Sequence, residues 1–234
     1  MTKLYADGLG EPLGGDILAS VRPLLSSGPS MWFVNSAGGV NGSQRESNRN
    51  APFATLEYAI SKAGTGDVIV LEAGHTETLS GPVTLLEGMT VIGIGSAAGV
   101  PMATLTMAGT EAGIFCPNNA WQIRNVRFAK TTTGYPHGII QSSSSFWSVV
   151  GCRFEVGEHD TTGGLVVNEP GNTLVCRIEN TTFLANGTAA APAPGLLLTA
   201  VATSLELYGC TFDGGQYGWS GYAADASVDR KSVV

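Results

Sequence analysis

A repeat centred on phenylalanine is the feature that most constrains the fold of this chain. Four segments align without gaps and end at Phe128, Phe154, Phe183 and Phe212, which are 26, 29 and 29 residues apart. A repeat of this length predicts a solenoid, in which each repeat forms one coil that buries its apolar face against the next coil.

Alternation within each repeat indicates β-strands. Trp121 and Ile123 lie two residues apart, and the equivalent pairs are also apolar: Trp147 and Val149, Cys176 and Ile178, Leu205 and Leu207. A period of two points these side chains to one side of a strand. A second strand repeats as Gly113–Cys116, Gly138–Gln141, Gly164–Val167 and Gly195–Leu198, with Gly218–Gly221 as a weakened fifth copy.

The alternation shifts by one residue at a fixed place in each repeat. The residues at the shift are Asn125, Gly151, Asn180 and Gly209. Asn and Gly adopt left-handed backbone angles most readily. We therefore predict a corner between two sheets at this column, with both arms facing one interior and the phenylalanines stacked about 4.8 Å apart, coil on coil.

The four cysteines are predicted to be free thiols. Cys116, Cys152, Cys176 and Cys210 follow the repeat spacing. Cys152 and Cys210 share a column but lie two coils apart, about 9–10 Å. A disulfide needs Cα atoms within about 7 Å, so we interpret the cysteines as small buried residues.

The segment Thr55 to Ala63 is predicted to be a helix that caps the first coil. Leu56, Ala59 and Ile60 recur at helical spacing, with Thr55 as N-cap and Gly64 as the residue that ends the helix. Further strands are predicted at Asp67–Leu71, Val83–Leu86, Met89–Ile94 and Thr104–Met107.

The opening of the repeat region resembles a known superfamily. The residues that carry the resemblance are Trp32–Asn35, Asn41–Ser43, Pro52–Leu56, Ala59–Ile60, Gly66–Val70 and Gly74–His75. They are similar to the N-terminal cap and first coil of pectate-lyase-like proteins. The resemblance implies an all-β, right-handed parallel β-helix, a single-stranded solenoid with a short capping helix and extended terminal arms. That superfamily includes lyases, hydrolases, phage tailspikes and non-enzymatic virion proteins, so the fold does not fix the activity.

The resemblance and the repeats together predict three regions. Residues 1–30 form an N-terminal arm that packs on this solenoid or on a neighbouring subunit, 31–222 form the β-helix, and 223–234 form a tail without repeat register.

Charge and hydropathy exclude several partners. The net charge is −7, and Lys and Arg form no run, so a nucleic-acid surface is not expected. No apolar run approaches the roughly 18 residues of a membrane span. Met1 to Gly10 has no secretion-signal pattern, and we expect synthesis in a host cytoplasm.

The candidate catalytic residues are few. Glu179 and Glu206 are outward acids one coil apart, near Arg177 and Arg124, and hydrolysis of polysaccharides needs two such carboxylates. We favour surface ion pairs and keep catalysis by Glu179 and Glu206 as the alternative. Arg127 and Arg153, on adjacent coils, show no set of acids around them.

Other clusters have structural interpretations. Glu155, Glu158, His159 and Asp160 could bind a divalent cation, but we favour a solvated loop and predict no metal or cofactor. We interpret His75 and Glu77 as part of a turn. Candidate contact residues are Tyr217, Trp219 and Tyr222 near the end of the stack, where they could cap the last coil, contact another subunit or bind carbohydrate.

Short members of the superfamily with this opening are similar to proteins encoded among phage structural genes. That resemblance, together with the terminal arms and the few candidate catalytic residues, implies a non-enzymatic bacteriophage virion protein, such as a capsid decoration or cement subunit or another head-associated subunit. Its expected location is the virion. Its expected partners are the major capsid protein or neighbouring copies, in a homo-oligomer such as a trimer. The alternative is a tail-associated receptor-binding or polysaccharide-degrading β-helix protein.

Overall fold

The structure is a computed structural model, and it describes residues 29–42, 48–95, 101–108, 113–117, 120–130, 140–142, 146–156, 165–167, 175–185, 196–198, 204–213, 219–221 and 228–231. The chain divides into two compact units, 1–30 and 31–234. In the first unit the described residues are Pro29 and Ser30, so the fold concerns the second unit.

Parallel strands in three sheets build the second unit. Sheet 1 contains β1 (Met31–Val34), β2 (Val68–Leu71), β5 (Thr90–Gly93), β8 (Trp121–Arg124), β11 (Phe146–Val150), β14 (Val175–Glu179), β17 (Ser204–Tyr208) and β20 (Val228–Lys231). Sheet 2 contains β3 (Thr76–Leu79), β6 (Ala103–Met107), β9 (Val126–Lys130), β12 (Arg153–Val156), β15 (Thr182–Ala185) and β18 (Thr211–Asp213). Sheet 3 contains β4 (Val83–Thr84), β7 (Ile114–Cys116), β10 (Ile140–Ser142), β13 (Leu165–Val167), β16 (Leu196–Leu198) and β19 (Trp219–Gly221).

The chain visits the sheets in a constant order, and this order defines the coil. From β2 to β19, each coil contributes one strand to sheet 1, then one to sheet 2, then one to sheet 3, while β1 and β20 extend sheet 1 at its two ends. Every strand pairs in parallel with the equivalent strand of the next coil. The predicted right-handed parallel β-helix is confirmed.

Two element predictions are corrected by the structure. The strand predicted at Val83–Leu86 is shorter, because β4 covers Val83–Thr84. The tail was predicted to lie outside the repeat register, but β20 continues sheet 1 beyond β17, with Leu205 opposite Val228 and Tyr208 opposite Lys231. The prediction failed because parallel pairing depends on backbone hydrogen bonds, and β20 lacks the apolar alternation of the earlier coils.

The predicted corner is confirmed. Asn125, Gly151, Asn180 and Gly209 all have positive φ angles, 55°, 64°, 47° and 57°. Asn125 also holds its corner to the preceding coil, because its Nδ2 donates hydrogen bonds to the carbonyl oxygens of Gly93 and Gly95, both at 2.8 Å. The left-handed residue turns the chain from sheet 1 into sheet 2, so both arms face the same core.

Substitution of Gly151 tests the backbone requirement separately from packing. A Cβ atom at Gly151 would meet no atom within 4 Å, yet φ is +64°. Gly151→Val should therefore lower the free energy of unfolding by about 1–2 kcal/mol through backbone strain alone. Gly151→Asn should lower the free energy of unfolding by clearly less, since Asn tolerates a positive φ angle. Denaturant unfolding of both variants measures the two losses of stability. Equal losses for Gly151→Val and Gly151→Asn would contradict the backbone requirement.

Stacked aromatic rings fill the core. The rings of Phe128, Phe154, Phe183 and Phe212 stack with successive centroid distances of 4.9, 5.0 and 4.9 Å. The first three are buried, and Phe212 is partly buried. Trp121 and Trp147 stack in the same way at 5.2 Å. The predicted phenylalanine ladder and the inward tryptophans are confirmed.

Three of the predicted free thiols are confirmed. Cys116, Cys152 and Cys210 are free and buried, while the side chain of Cys176 lies outside the described part. Burial raises the pKa of Cys152 to about 12 and also raises the pKa of Cys116 and Cys210. Because the thiolate is the reactive form, these thiols should resist modification in the folded protein.

Thiol titration checks this protection. In denaturant we expect four reactive thiols for each chain. Without denaturant, mass spectrometry should find Cys116, Cys152 and Cys210 unmodified after exposure to an alkylating reagent at pH 8. Rapid labelling of any of the three would contradict the described packing.

The capping helix forms as predicted. Helix α1 (Leu56–Lys62) begins after Thr55, whose side-chain oxygen accepts a hydrogen bond from the backbone N–H of Tyr58. Leu56 and Ala59 are buried in the core. The predicted segment ends where expected, because Ala63 is the C-cap and Gly64 follows it, and the extended backbone of Ala63 turns the chain toward β2.

Candidate functional site

The predicted acids Glu179 and Glu206 lie on adjacent strands of sheet 1 but in different outward columns. Arg177 is opposite Glu206, and Glu179 is opposite Tyr208. The guanidinium of Arg177 forms an ion pair with Glu179 and lies over the ring of Tyr208, 5.0 Å from its centroid. Arg177 thus contacts Glu179 within its own strand and faces Glu206 across the strand pair.

Among the described residues, the most connected outward charges lie on sheet 2, where two arginines share one glutamate. Glu155 accepts hydrogen bonds from Nε of Arg127 at 3.0 Å and from Nη2 of Arg127 at 2.7 Å. Nε of Arg153 donates a third hydrogen bond at 2.9 Å. We call Arg127, Arg153 and Glu155 the arginine pair cluster.

The arginine pair cluster corrects one sequence interpretation, in which Glu155 was placed in a loop. Arg127 and Arg153 were expected to have no set of acids around them, and the structure places one acid, Glu155, beside both. Glu155 is on β12, two residues after Arg153, so both side chains leave the same face of the strand. The other members of the predicted cation cluster, Glu158, His159 and Asp160, lie outside the described residues.

Electrostatics favours the ionised form of this cluster. The hydrogen bond from Arg127, together with the charges of Arg127 and Arg153, lowers the pKa of Glu155 against the opposing effect of burial. The same hydrogen bond raises the pKa of Arg127. Glu155 is therefore a carboxylate at neutral pH, and it does not have the raised pKa of a general acid.

The arginine pair cluster lies within two outward columns of sheet 2. Along the column of the arginines lie Thr76, Thr104, Arg127, Arg153, Thr182 and Thr211. Along the column of the glutamate lie Thr78, Thr106, Ala129, Glu155, Leu184 and Asp213. The neighbours above and below are short, so the guanidinium groups are open to an approaching surface.

His75 and Glu77 form a buried network that connects three segments. The backbone N–H of Ser36 donates to Nδ1 of His75 at 3.0 Å, so the ring proton is assigned to Nε2, which lies 3.1 Å from Oε2 of Glu77. The same carboxylate oxygen accepts the backbone N–H of Leu56, the first residue of α1, at 2.6 Å. The His75 side chain has no exposed surface.

This network has a structural role. It joins the loop after β1, the turn before β3 and the start of the capping helix, and Gly74 at φ +73° makes the turn. The interpretation as part of a turn holds for His75, whose backbone N–H closes the turn on the carbonyl of Glu72, and is corrected for Glu77, which lies on β3. Their connection to α1 was not visible in the sequence, because the three segments carry no shared repeat.

The aromatic contact candidates are only partly described. Trp219 begins β19 and is opposite Leu196 of β16 in register, which confirms the weakened fifth copy of the second strand. Tyr217 and Tyr222 lie outside the described residues. Whether any of the three contacts a partner stays a prediction.

The part of the chain that the structure describes contains neither a metal-binding cluster nor a membrane-spanning helix. Within it, no group of three or more His, Cys, Asp or Glu side chains could hold a metal ion. No described helix combines the length and hydropathy that crossing a membrane requires.

Comparison with known proteins identifies the fold. No family model matches the chain, and no curated protein matches it in sequence. The crystal structure of pectate lyase Pel9A is similar, with a TM-score of 0.50 and 18% identity, over 79% of this chain and 48% of that chain. The chain has a pectate-lyase-like parallel β-helix fold. It spans about half of the pectate lyase chain, and at this identity the similarity concerns the fold alone.

Proposed function

We propose that this β-helix protein is a non-enzymatic structural subunit of a bacteriophage virion, most simply a capsid decoration or cement protein. It would bind the major capsid protein or neighbouring copies through the sides of its solenoid and its terminal segments. Copies of the chain would assemble as a homo-oligomer, such as a trimer.

The observation that carries the proposal is that three carboxylates, among them Glu179 of the candidate catalytic pair, are engaged in ion pairs and hydrogen bonds. Glu155 is held by two arginines, Glu77 by His75 and the start of α1, and Glu179 by Arg177. Glycoside hydrolysis uses two carboxylates that face each other across the bond, about 5–9.5 Å apart. Carboxylates already bound in ion pairs and caps are suited to holding a scaffold.

The regular sides of the solenoid add support. Stacked parallel strands give each sheet a rigid face, and rigid faces bind partners with little loss of conformational entropy. Threonines make up half of the two outward columns of sheet 2, and their short side chains suit contact with another protein surface.

Particle composition tests this proposal. Particles of the virus that encodes the chain are purified by density gradient and disassembled, and the chain is quantified against the major capsid protein by mass spectrometry. A fixed, high copy number for each particle is expected. Absence of the chain from purified particles would contradict the proposal.

A polysaccharide assay addresses the alternative function. The purified protein is incubated with acidic and neutral polysaccharides, and reducing or unsaturated ends are measured. We expect no release above that of heat-treated protein. Release that is lost in Glu179→Gln or Glu206→Gln but kept in Glu57→Gln, at an exposed position of α1, would establish the enzyme instead.

A further inference from the structure

We propose that the arginine pair cluster is the point at which this protein contacts a carboxylate of a neighbouring protein in the particle. The inference rests on the proposed structural function and names the surface that would carry it out. It assigns a binding role to Arg153 and a positioning role to Arg127.

The first step is the count of hydrogen-bond donors. Arg127 uses Nε and Nη2 on Glu155, whereas Arg153 uses Nε alone. Among the residues that the structure describes, both terminal nitrogens of Arg153 and Nη1 of Arg127 therefore remain for another acceptor. Two guanidinium groups and one carboxylate also leave one net positive charge, on a chain whose net charge is −7.

The second step is access to those donors. The side chains of Arg127 and Arg153 are 43% and 49% exposed, against 12% for Glu155. Thr104 and Thr182 flank the arginines in their column. A carboxylate on a flat partner surface can reach the end of Arg153 and accept two parallel N–H bonds.

The third step chooses a protein surface over a charged polysaccharide. Glu155 and the exposed Asp213 lie in the same outward column of sheet 2, so an evenly charged polyanion would meet repulsion along that column. The described outward positions of β3, β6, β9, β12, β15 and β18 also offer no aromatic ring for sugar stacking. A protein can place one acid opposite Arg153 and neutral or basic residues opposite the acids.

Zero-length cross-linking can identify this contact directly. Arg153→Lys keeps the positive charge and introduces an amine, which a carbodiimide couples to a carboxylate in direct contact. Purified particles carrying this variant are treated with carbodiimide and analysed by peptide mass spectrometry. Arg124→Lys is the matched control, because Arg124 is an exposed arginine on sheet 1. We expect a bond from position 153 to an acid of a second polypeptide, and none from position 124.

Removal of the charge gives an independent readout. Arg153→Gln should weaken association with particles that lack the chain by about tenfold or more, because buried charge-assisted contacts are costly to lose. Arg124→Gln should leave the association within about twofold of wild type. The loss for Arg153→Gln should shrink at high salt, where screening weakens the contact in the wild type as well.

The outcomes separate this inference from the proposed function. If wild-type protein is absent from particles, the structural function fails and the contact fails with it. If wild-type protein is present, three results overturn the contact alone. These are a bond from position 153 to Glu155 only, equal cross-linking at positions 124 and 153, and equal binding by wild type and Arg153→Gln.

Discussion

Phe154→Ala is expected to lower the free energy of unfolding by about 3–5 kcal/mol, the range for removal of a buried aromatic side chain. Phe154 has no exposed surface and stacks between Phe128 and Phe183 at 4.9 and 5.0 Å. Hydrogen bonds between strands fix the spacing of the coils, so the neighbouring rings cannot close the cavity. Equilibrium denaturation in urea measures the loss.

A second phenylalanine in the same coil provides the control. Phe146 begins β11 and is 51% exposed. Phe146→Ala should change stability by about 0.5 kcal/mol or less, as expected for a surface substitution. Similar losses for Phe146→Ala and Phe154→Ala would contradict the aromatic ladder as the main source of packing energy.

Glu77→Ala is expected to lower the free energy of unfolding by about 2–4 kcal/mol, because it leaves two hydrogen-bond donors without an acceptor. The carboxylate accepts the backbone N–H of Leu56 and lies within hydrogen-bond distance of Nε2 of His75. It is largely shielded from water, with 8% of its side chain exposed. The N-terminal cap of the β-helix should loosen, and hydrogen exchange at α1 should accelerate before global unfolding.

Two further variants separate hydrogen bonding from charge. Glu77→Gln can keep both contacts through its carbonyl oxygen, so it should cost only about 1 kcal/mol for the lost charge assistance. Glu57→Ala removes an exposed acid from the first turn of α1 and should cost about 0.3–1 kcal/mol. If Glu77→Ala lowers the free energy of unfolding by no more than Glu57→Ala does, the buried network does not stabilise the cap.

The fold could be predicted because its main determinants recur at equivalent positions. One phenylalanine alone says little, whereas four in one column, each after an Asn or Gly at the shift, indicate a stack of coils. The corner residues confirm this interpretation with φ angles of 47° to 64°. The repeats support one another, because equivalent positions in successive coils have the same backbone and packing requirements.

The sites were harder to predict because they depend on contacts that do not recur. Glu155 follows the ladder residue Phe154 directly, and extending the alternation by one residue would have put it on the same face as Arg153. The ion pair to Arg127 crosses between coils 28 residues apart. The link from Glu77 to Leu56 joins segments outside the aligned repeats, so no column could reveal it.

The parallel pairing of successive coils also has a consequence for synthesis on the ribosome. The helix-capped first coil emerges before the others, and each new strand finds the edge of the preceding one already formed. Ordering can then spread from the N-terminal end of the β-helix, one coil at a time, without waiting for distant partners. A chain stalled partway through translation would hold a short, capped stack with one open edge, ready to accept the next coil.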